Sequence, residues 1–422
     1  MSSSQLERQE IISIAPLLNR LAHSNAVDIS PDEIASTFKL LLSNRVSNIQ
    51  SASFLSLLAY TGKDGQADVI AKCAYYMRDA ACQIDQSSLH DVVKAKGEPK
   101  GDYKGGLCDI VGTGGDSHST FNVSTAASII ASPILMMAKH GSRAQTSSSG
   151  SADLLKAIQP TAPNIDAINE RNIVEVYQET NYAFLFASNF HSAMAHINPL
   201  RKALGIRTIF NLMGPLVNPL DWAIEARVVG VAHQSLGPVF AEALKEGGVR
   251  NALVVCGEEN LDEISCAGPT NCWKISGPKQ MSVQDDGSSE NSAQAPVQID
   301  VFQLHPSDFG LPTHPLASVF PGRNPKENAI KLMSILRGEV SPGDPVLDFV
   351  LMNVAALLVI SGVCESDASD AEPNGQAITE RGPGGGRWKE GLRRARWAID
   401  SGRALTCLER FIEVTNRLPR EC

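Results

Sequence analysis

Residues 107–132 read LCDIVGTGGDSHSTFNVSTAASIIAS. A short apolar run, LCDIV, stops at a turn holding three glycines around one threonine, and STAASIIAS (124–132) then resumes as small and apolar residues. The first part reads as a strand, the glycines as its terminating turn, and 124–132 as a helix. In open α/β sheets, ligands sit outside the carboxyl ends of the strands. Glycines there let backbone N–H groups approach an anion, and the helix N-terminus adds its dipole. Asn122, Ser124 and Thr125 stand where they can donate to phosphate oxygens or, through a hydroxyl oxygen, ligate a hard cation. The turn is neither a Walker A loop nor G-x-G-x-x-G, because it lacks the Gly-Lys-Ser/Thr ending of the first and the spacing of the second.

The same texture recurs further along the chain. ILMMA (134–138) reads as a strand running into KHGSRAQTSSSGSADLL, with Lys139 just past its end and Ser151 opening a helix that carries Asp153 in its first turn. Two strand ends bearing glycines and hydroxyls, with a lysine between them, suit a ligand with more than one phosphate. ALVVC (252–256) reads as a strand leading to GEENLDEIS, where Asp262 and Glu263 are adjacent carboxylates in a loop. Mg²⁺ prefers one or two carboxylates completed by substrate phosphates and water. The stretch 184–219, FLFASNFHSAMAHINPLRKALGIRTIFNLMGPLVNP, reads as a strand, a helix carrying His191, His196 and Arg201, and a Gly/Pro-rich turn. Arg201 can pair with a carboxylate if that helix faces the pocket. With a further helix at 234–248, the alternation predicts an α/β domain with a mostly parallel sheet.

Before this region, residues 5–85 show only helical patterning. Ser30, Pro31 and Glu33 read as a cap, a first helical position and a capping box, with Ile34, Phe38 and Leu41 on one face. We therefore expect a small helical domain over 1–85, completed by helices from about 165–220, and an α/β domain over 105–422. The polar segments 276–298 and 365–386 read as surface insertions.

The chain has 422 residues, 43% of them hydrophobic and 20% charged, which is globular composition. A formal charge of −9, with no long basic block, argues against a general nucleic-acid binder. Nine cysteines without a C-x-x-C pair fit reduced thiols in the cytoplasm better than a zinc site. The N-terminus MSSSQLERQE lacks the features of a signal peptide, and no apolar run reaches the ~18 residues of a membrane span.

Taken in order, GTGGDSHSTFNVST, KHGSR with SGSADLL, HSAM…LRKALGIRTIFN…GPLVNP and LDEIS resemble the anthranilate phosphoribosyltransferase family. The resemblance extends from ISPDEIA to WAIDSGRAL (397–405) and omits only the two polar insertions. It implies a type II nucleoside phosphorylase-like fold, with a small helical domain, a larger α/β domain and the active site in the cleft. It also implies a homodimer, Mg²⁺ as cofactor, and transfer of phosphoribosyl from 5-phosphoribosyl 1-diphosphate to anthranilate in tryptophan biosynthesis. By resemblance, Gly112, Gly115, Asp116, Thr120, Asn122, Ser124, Thr125, Lys139 and Ser151 are expected around phosphoribosyl diphosphate. Ser124, Asp262 and Glu263 are expected on the metal, and Gly112, Ser142 and Arg201 against anthranilate. Lys139, Arg201, Asp262 and Glu263 carry the catalytic expectation.

Some positions depart from the family pattern. Ser142 stands where Asn is usual after K-H-G, and Ser148 where Lys is common. Cys256, Asn260 and Ser192 replace a frequent His, Gly and Pro. A pyrimidine nucleoside phosphorylase is the rival enzyme; the DSHSTFNVST run and the Asp-Glu pair argue against it. A catalytically silent nucleic-acid-binding relative should carry a basic groove and lose that pair, and this chain is acidic and keeps both residues.

Overall fold

The computed structural model describes residues 10–23, 28–144, 150–277, 296–368 and 376–419. The N-terminal helices are α1 (Ala15–Ala22), α2 (Pro31–Leu42), α3 (Asn48–Thr61) and α4 (Ala67–Asp79). The strands are β1 (Leu107–Gly112), β2 (Met136–Gly141), β3 (Tyr182–Phe186), β4 (Ile224–Gly230), β5 (Asn251–Gly257), β6 (Thr270–Ser276) and β7 (Gln298–Leu304). Between α4 and β5 lie α5 (Gln86–Lys96), α6 (Val123–Ala131), α7 (Ser151–Lys156), α8 (Ile173–Glu179), α9 (Ala187–Phe190), α10 (Met194–Leu204), α11 (Phe210–Met213) and α12 (Leu236–Glu246). The chain closes with α13 (Pro325–Leu336), α14 (Pro345–Ser361), α15 (Trp388–Asp400) and α16 (Arg403–Arg417).

All seven strands form one sheet in the order β3-β2-β1-β4-β5-β6-β7. Pairing is parallel from β3 to β5 and antiparallel across β5–β6 and β6–β7. The mostly parallel α/β sheet expected from the alternation is therefore present. Parallel strands need cover on both faces, and alternate side chains here enter two cores. Leu253 and Val255 of β5 join α6 and α14 in one core, while Ala252, Val254 and Cys256 join α2, α3, α4 and α12 in the other. The N-terminal helices thus share their core with one face of the sheet. Ile197, Phe210 and Met213 pack with them, whereas Ile165, Ile173, Tyr177 and Phe190 pack in the first core.

The strand order reverses between β1 and β4, whose ends are in register at Gly112 and Gly230. A crevice at the carboxyl ends of such a pair is where doubly wound sheets bind ligands.

Several local expectations shift. β2 begins two residues later than ILMMA and runs through Lys139, which lies inside the strand opposite Phe184. The sheet's buried interior extends further than the apolar run shows. His191 caps the C-terminus of α9, so of the residues expected on one helix only His196 and Arg201 lie on α10. Ser30 does cap α2, accepting from the Glu33 N–H at 3.2 Å, but the Glu33 carboxylate accepts from Arg20 at 2.6 Å.

Of the segment 276–298, the ends belong to β6 and β7 and residues 278–295 lie outside the described residues. Of 365–386, residues 365–368 and 376–386 are described, and the second part makes contacts with the rest of the chain. Phe302 lies against Gly384 (φ 61°), and the Trp388 indole donates to the Pro383 carbonyl at 2.9 Å. Among the described residues, no helix is long and apolar enough to cross a membrane. The 17-residue α14 is apolar because every residue from Val346 to Ser361 is buried.

Candidate active site

The glycine turn follows β1 with Gly114 and Gly115 both left-handed, at φ 65° and 78°. Thr113 ties the turn to β4, since its N–H donates to the Gly230 carbonyl at 2.9 Å and its hydroxyl accepts from the Ala232 N–H at 3.1 Å. Into this turn projects Asp262, carried by the loop after β5. Its Oδ2 accepts from the Gly114 N–H at 2.7 Å. A Cβ on Gly112 would stand 2.4 Å from Asp262 Oδ2, and one on Gly230 only 1.5 Å from the Asp262 carbonyl oxygen. The glycines at the two strand ends thus make room for Asp262 as well as baring the backbone of the turn.

The Glu263 Oε2 accepts from the Thr120 hydroxyl at 3.3 Å. Asp116 hydrogen-bonds Asp262, so three carboxyls from two loops meet at the β1/β4 crevice. Burial holds Asp116, Asp262 and Glu263 above the usual carboxylate range, and for Asp116 and Glu263 the neighbouring carboxylates add to it.

The described residues hold no preformed group of three or more acidic, His or Cys side chains poised around one ion. Mg²⁺ keeps several waters and takes one or two protein carboxylates plus phosphate oxygens. A divalent cation would relieve the repulsion recorded in these raised carboxyls, so the donor set fits.

Next to the acids, α6 is buried except for Ser124. Asn122 caps this helix, its Oδ1 accepting from the Thr125 N–H at 3.2 Å. The Thr125 hydroxyl is buried without a partner. Gly115 has its carbonyl bound by Arg207 Nη1 at 3.1 Å, and the guanidinium fills the space beside the missing side chain. Arg207 arrives from the α10–α11 linker and was not singled out in the sequence, where only Arg201 stood out.

At the end of β2, Lys139 is 1% exposed and its Nζ donates to the His140 carbonyl at 2.8 Å. Burial lowers its pKa, and the buried Asp109 on β1 opposes that shift. Asn218, from the GPLVNP motif, donates to Asp109 Oδ2 at 2.9 Å and to the Ala138 carbonyl at 2.8 Å. The lysine expected past the strand end is thus part of a buried polar layer beneath it.

Beyond it, Gly141 lies against Ser151, the first residue of α7, and the exposed Ser142 accepts from the Ala152 N–H at 3.2 Å through its carbonyl. Ser148 lies outside the described residues.

Two buried histidines border this end of β2. The rings of His140 and His191 lie 5.4 Å apart, edge to face. His140 Nδ1 faces the Gly214 carbonyl at 3.3 Å and His191 Nε2 the Val217 carbonyl at 2.9 Å, so these nitrogens carry the hydrogens. Burial pushes both pKa values down, that of His191 to about 4. His140 Nε2 and His191 Nδ1 are left as buried acceptors without partners. The sequence showed both residues but gave no sign that they meet.

Arg201 lies on α10. Its guanidinium lies 5.4 Å from the centre of the Phe210 ring, which packs on Phe38 of the small helical domain at 5.1 Å.

Residues 104–405 match the glycosyl transferase family α/β domain, and residues 15–81 that family's helical bundle domain. The anthranilate phosphoribosyltransferase of Schizosaccharomyces pombe is 36% identical over 380 residues, 90% of this chain and 91% of its own length. That of Saccharomyces cerevisiae is 35% identical over 375 residues, 87% of this chain and 86% of its own. The solved structure of the S. cerevisiae enzyme in complex with PRPP and Mg has a TM-score of 0.74 at 30% identity, covering 96% of this chain and 99% of that one. The same enzyme in complex with 4-fluoroanthranilate has a TM-score of 0.74 at 28% identity, over 96% and 98% of the two chains.

Proposed function

The chain belongs to the anthranilate phosphoribosyltransferase family, and from that premise we propose how its residues carry the reaction. The enzyme transfers the 5-phosphoribosyl group from phosphoribosyl diphosphate to the amino nitrogen of anthranilate, releasing diphosphate, in tryptophan biosynthesis. The bond from the ribose anomeric carbon to diphosphate breaks with its electron pair leaving on diphosphate, a carbon–nitrogen bond forms, and the nitrogen's extra proton passes to solvent.

The observation that carries this reading is the carboxyl cluster at the β1/β4 switch point, hydrogen-bonded into the glycine turn. Asp262, Glu263 and Ser124 hold Mg²⁺, which neutralises charge on the diphosphate leaving group when bound. Gly112, Gly115, Asp116, Thr120, Asn122, Thr125 and Ser151 surround phosphoribosyl diphosphate. Thr125, with its unpartnered hydroxyl, is the side chain readiest to take a phosphate oxygen. Lys139 contributes positive potential from beneath the two loops. Gly112, Ser142 and Arg201 receive anthranilate, with Arg201 for its carboxylate. His140 Nε2 and His191 Nδ1 accept the hydrogens of its amine. That amine is neutral at physiological pH, so positioning and electrostatics do most of the catalysis.

Purified protein with anthranilate, phosphoribosyl diphosphate and Mg²⁺ is expected to consume anthranilate fluorescence, and only with all three present. Fluorescence that persists with folded protein would sink the reading.

We further infer a homodimer. α3 turns Phe54, Leu55 and Leu58 inward, yet leaves Ile49 and Tyr60 82% and 87% exposed. A helix apolar on both faces fits a second copy of the chain; a monomer mass by light scattering would refute it. The eight described cysteines are free thiols, most of them buried, which supports a cytoplasmic enzyme.

A further inference from the structure

Asn353 sits in the middle of α14, 2% exposed, in the apolar run FVLMNVAALLVI. A buried carboxamide is costly unless its donors and its acceptor find partners. Its partners here are specific. Oδ1 accepts from the Ile264 N–H at 3.1 Å, and Nδ2 donates to the Ile264 carbonyl at 3.2 Å and to the Phe349 carbonyl at 3.0 Å. One side chain therefore binds both backbone polar groups of Ile264, as a neighbouring strand would.

Ile264 directly follows Asp262 and Glu263. On the opposite side of the same turn, the Asp262 carbonyl rests against Gly230, where no side chain would fit. The acidic turn is thus gripped between α14 and the end of β4. The loop also holds itself, with the Gly257 N–H donating to the Leu261 carbonyl at 2.8 Å and the Ser265 N–H to the Thr270 hydroxyl at 2.9 Å, and Asn353 adds two bonds on the residue that follows the acids.

We propose that Asn353 is a positioning residue that fixes the Asp262–Glu263 pair for the metal ion. The proposal rests on the reading that these two carboxylates hold the cation. Asn353 acts through the backbone of Ile264 and touches neither substrate nor metal. Outer-shell partners of this kind orient ligands and tune affinity.

The test is binding of Mn²⁺ in the presence of phosphoribosyl diphosphate, with protein-bound Mn²⁺ read from water-proton relaxation. In Asn353→Leu, Mn²⁺ affinity is expected to fall about 10- to 100-fold, with excess metal restoring part of the turnover and the KM for anthranilate unchanged. A lower melting temperature with wild-type Mn²⁺ affinity would make Asn353 merely structural and overturn the proposal.

The variant Asp262→Asn/Glu263→Gln is measured alongside. If it keeps Mn²⁺, the metal assignment itself fails and the proposal falls with it. If it loses Mn²⁺ while Asn353→Leu does not, only the positioning role fails.

Should Asn353→Leu not fold, amide exchange in the wild-type protein decides. Slow exchange at Ile264 that slows further with Mn²⁺ and phosphoribosyl diphosphate supports the grip. Exchange at the rate of an open loop overturns it.

Discussion

Replacing Asp262 by Asn and Glu263 by Gln together is expected to abolish transfer and, at the same time, to raise the melting temperature of the metal-free protein. The loss follows from charge. In the proposed reading these carboxylates fix the cation against the leaving diphosphate, and removing one such stabilising group typically costs about 10²–10³ in turnover. The stabilisation follows from burial. Asp116, Asp262 and Glu263 are all held above the ordinary carboxylate range by desolvation, and Asp116 is pushed up to about 7.

The sign of the pH effect is set by that upward shift. A carboxyl whose folded pKa is raised binds a proton more readily in the folded state than in the unfolded one. Its stabilising contribution is therefore present below its ordinary value of 3.8 and is lost as pH rises through about 7. Metal-free wild-type protein should lose melting temperature between about pH 4 and 7 on this account. Mg²⁺ with phosphoribosyl diphosphate should restore it at the upper end, and the double variant should show a flatter profile. Calorimetry at three pH values, with and without the ligands, reads all of this. A double variant that melts lower than wild type at the upper pH would mean that the acids serve stability rather than the metal.

Gly230→Ala is expected to cost more activity than any other single methyl group added to the sheet. Gly230 is not left-handed, so the backbone would accept alanine. The space would not, because the new Cβ would overlap the Asp262 carbonyl oxygen at 1.5 Å, and that atom is backbone. The acidic turn must move. Overpacking of this kind costs ~1–3 kcal/mol in stability, and a misplacement of about 1 Å in a reacting assembly can cost ~10²-fold in rate.

Gly248→Ala makes the contrast. Gly248 has φ 86° and open space around it, so alanine there should cost ~1–2 kcal/mol for the left-handed backbone and leave turnover intact. Turnover and chemical denaturation of the two variants separate the effects. Equal activity in both would show that the acidic turn need not hold its position.

Much of this was legible in the chain. LCDIV and ILMMA with the helices after them, and ALVVC after the helix at 234–248, predicted a mostly parallel α/β sheet, because short apolar runs alternating with helical stretches have few other solutions. Ser30 as a cap and Asp262 and Glu263 as loop acids could be read from neighbours within a few positions. What could not be read depends on residues far apart in sequence. Lys139 follows an apolar run and so reads as lying beyond it, yet the opposite charge of Asp109 and the amide of Asn218 make a buried lysine tolerable inside β2. Arg207 reaches Gly115 across 92 positions, His140 meets His191, and Asn353 meets Ile264 across 89.

The sequence by itself determined the alternation of elements, the glycine turn at a strand end and the acids that follow another. Those are local matters of periodicity, turn chemistry and charge. Only the tertiary structure decided that β1 lies beside β4, and with that what the glycines are for. Gly112 and Gly230 come into register 118 positions apart, and Asp262 from a third strand's loop fills the space their side chains would occupy, with its carboxylate at Gly112 and its backbone carbonyl at Gly230. No local pattern encodes that, since the need for a missing side chain arises from the atom packed against it.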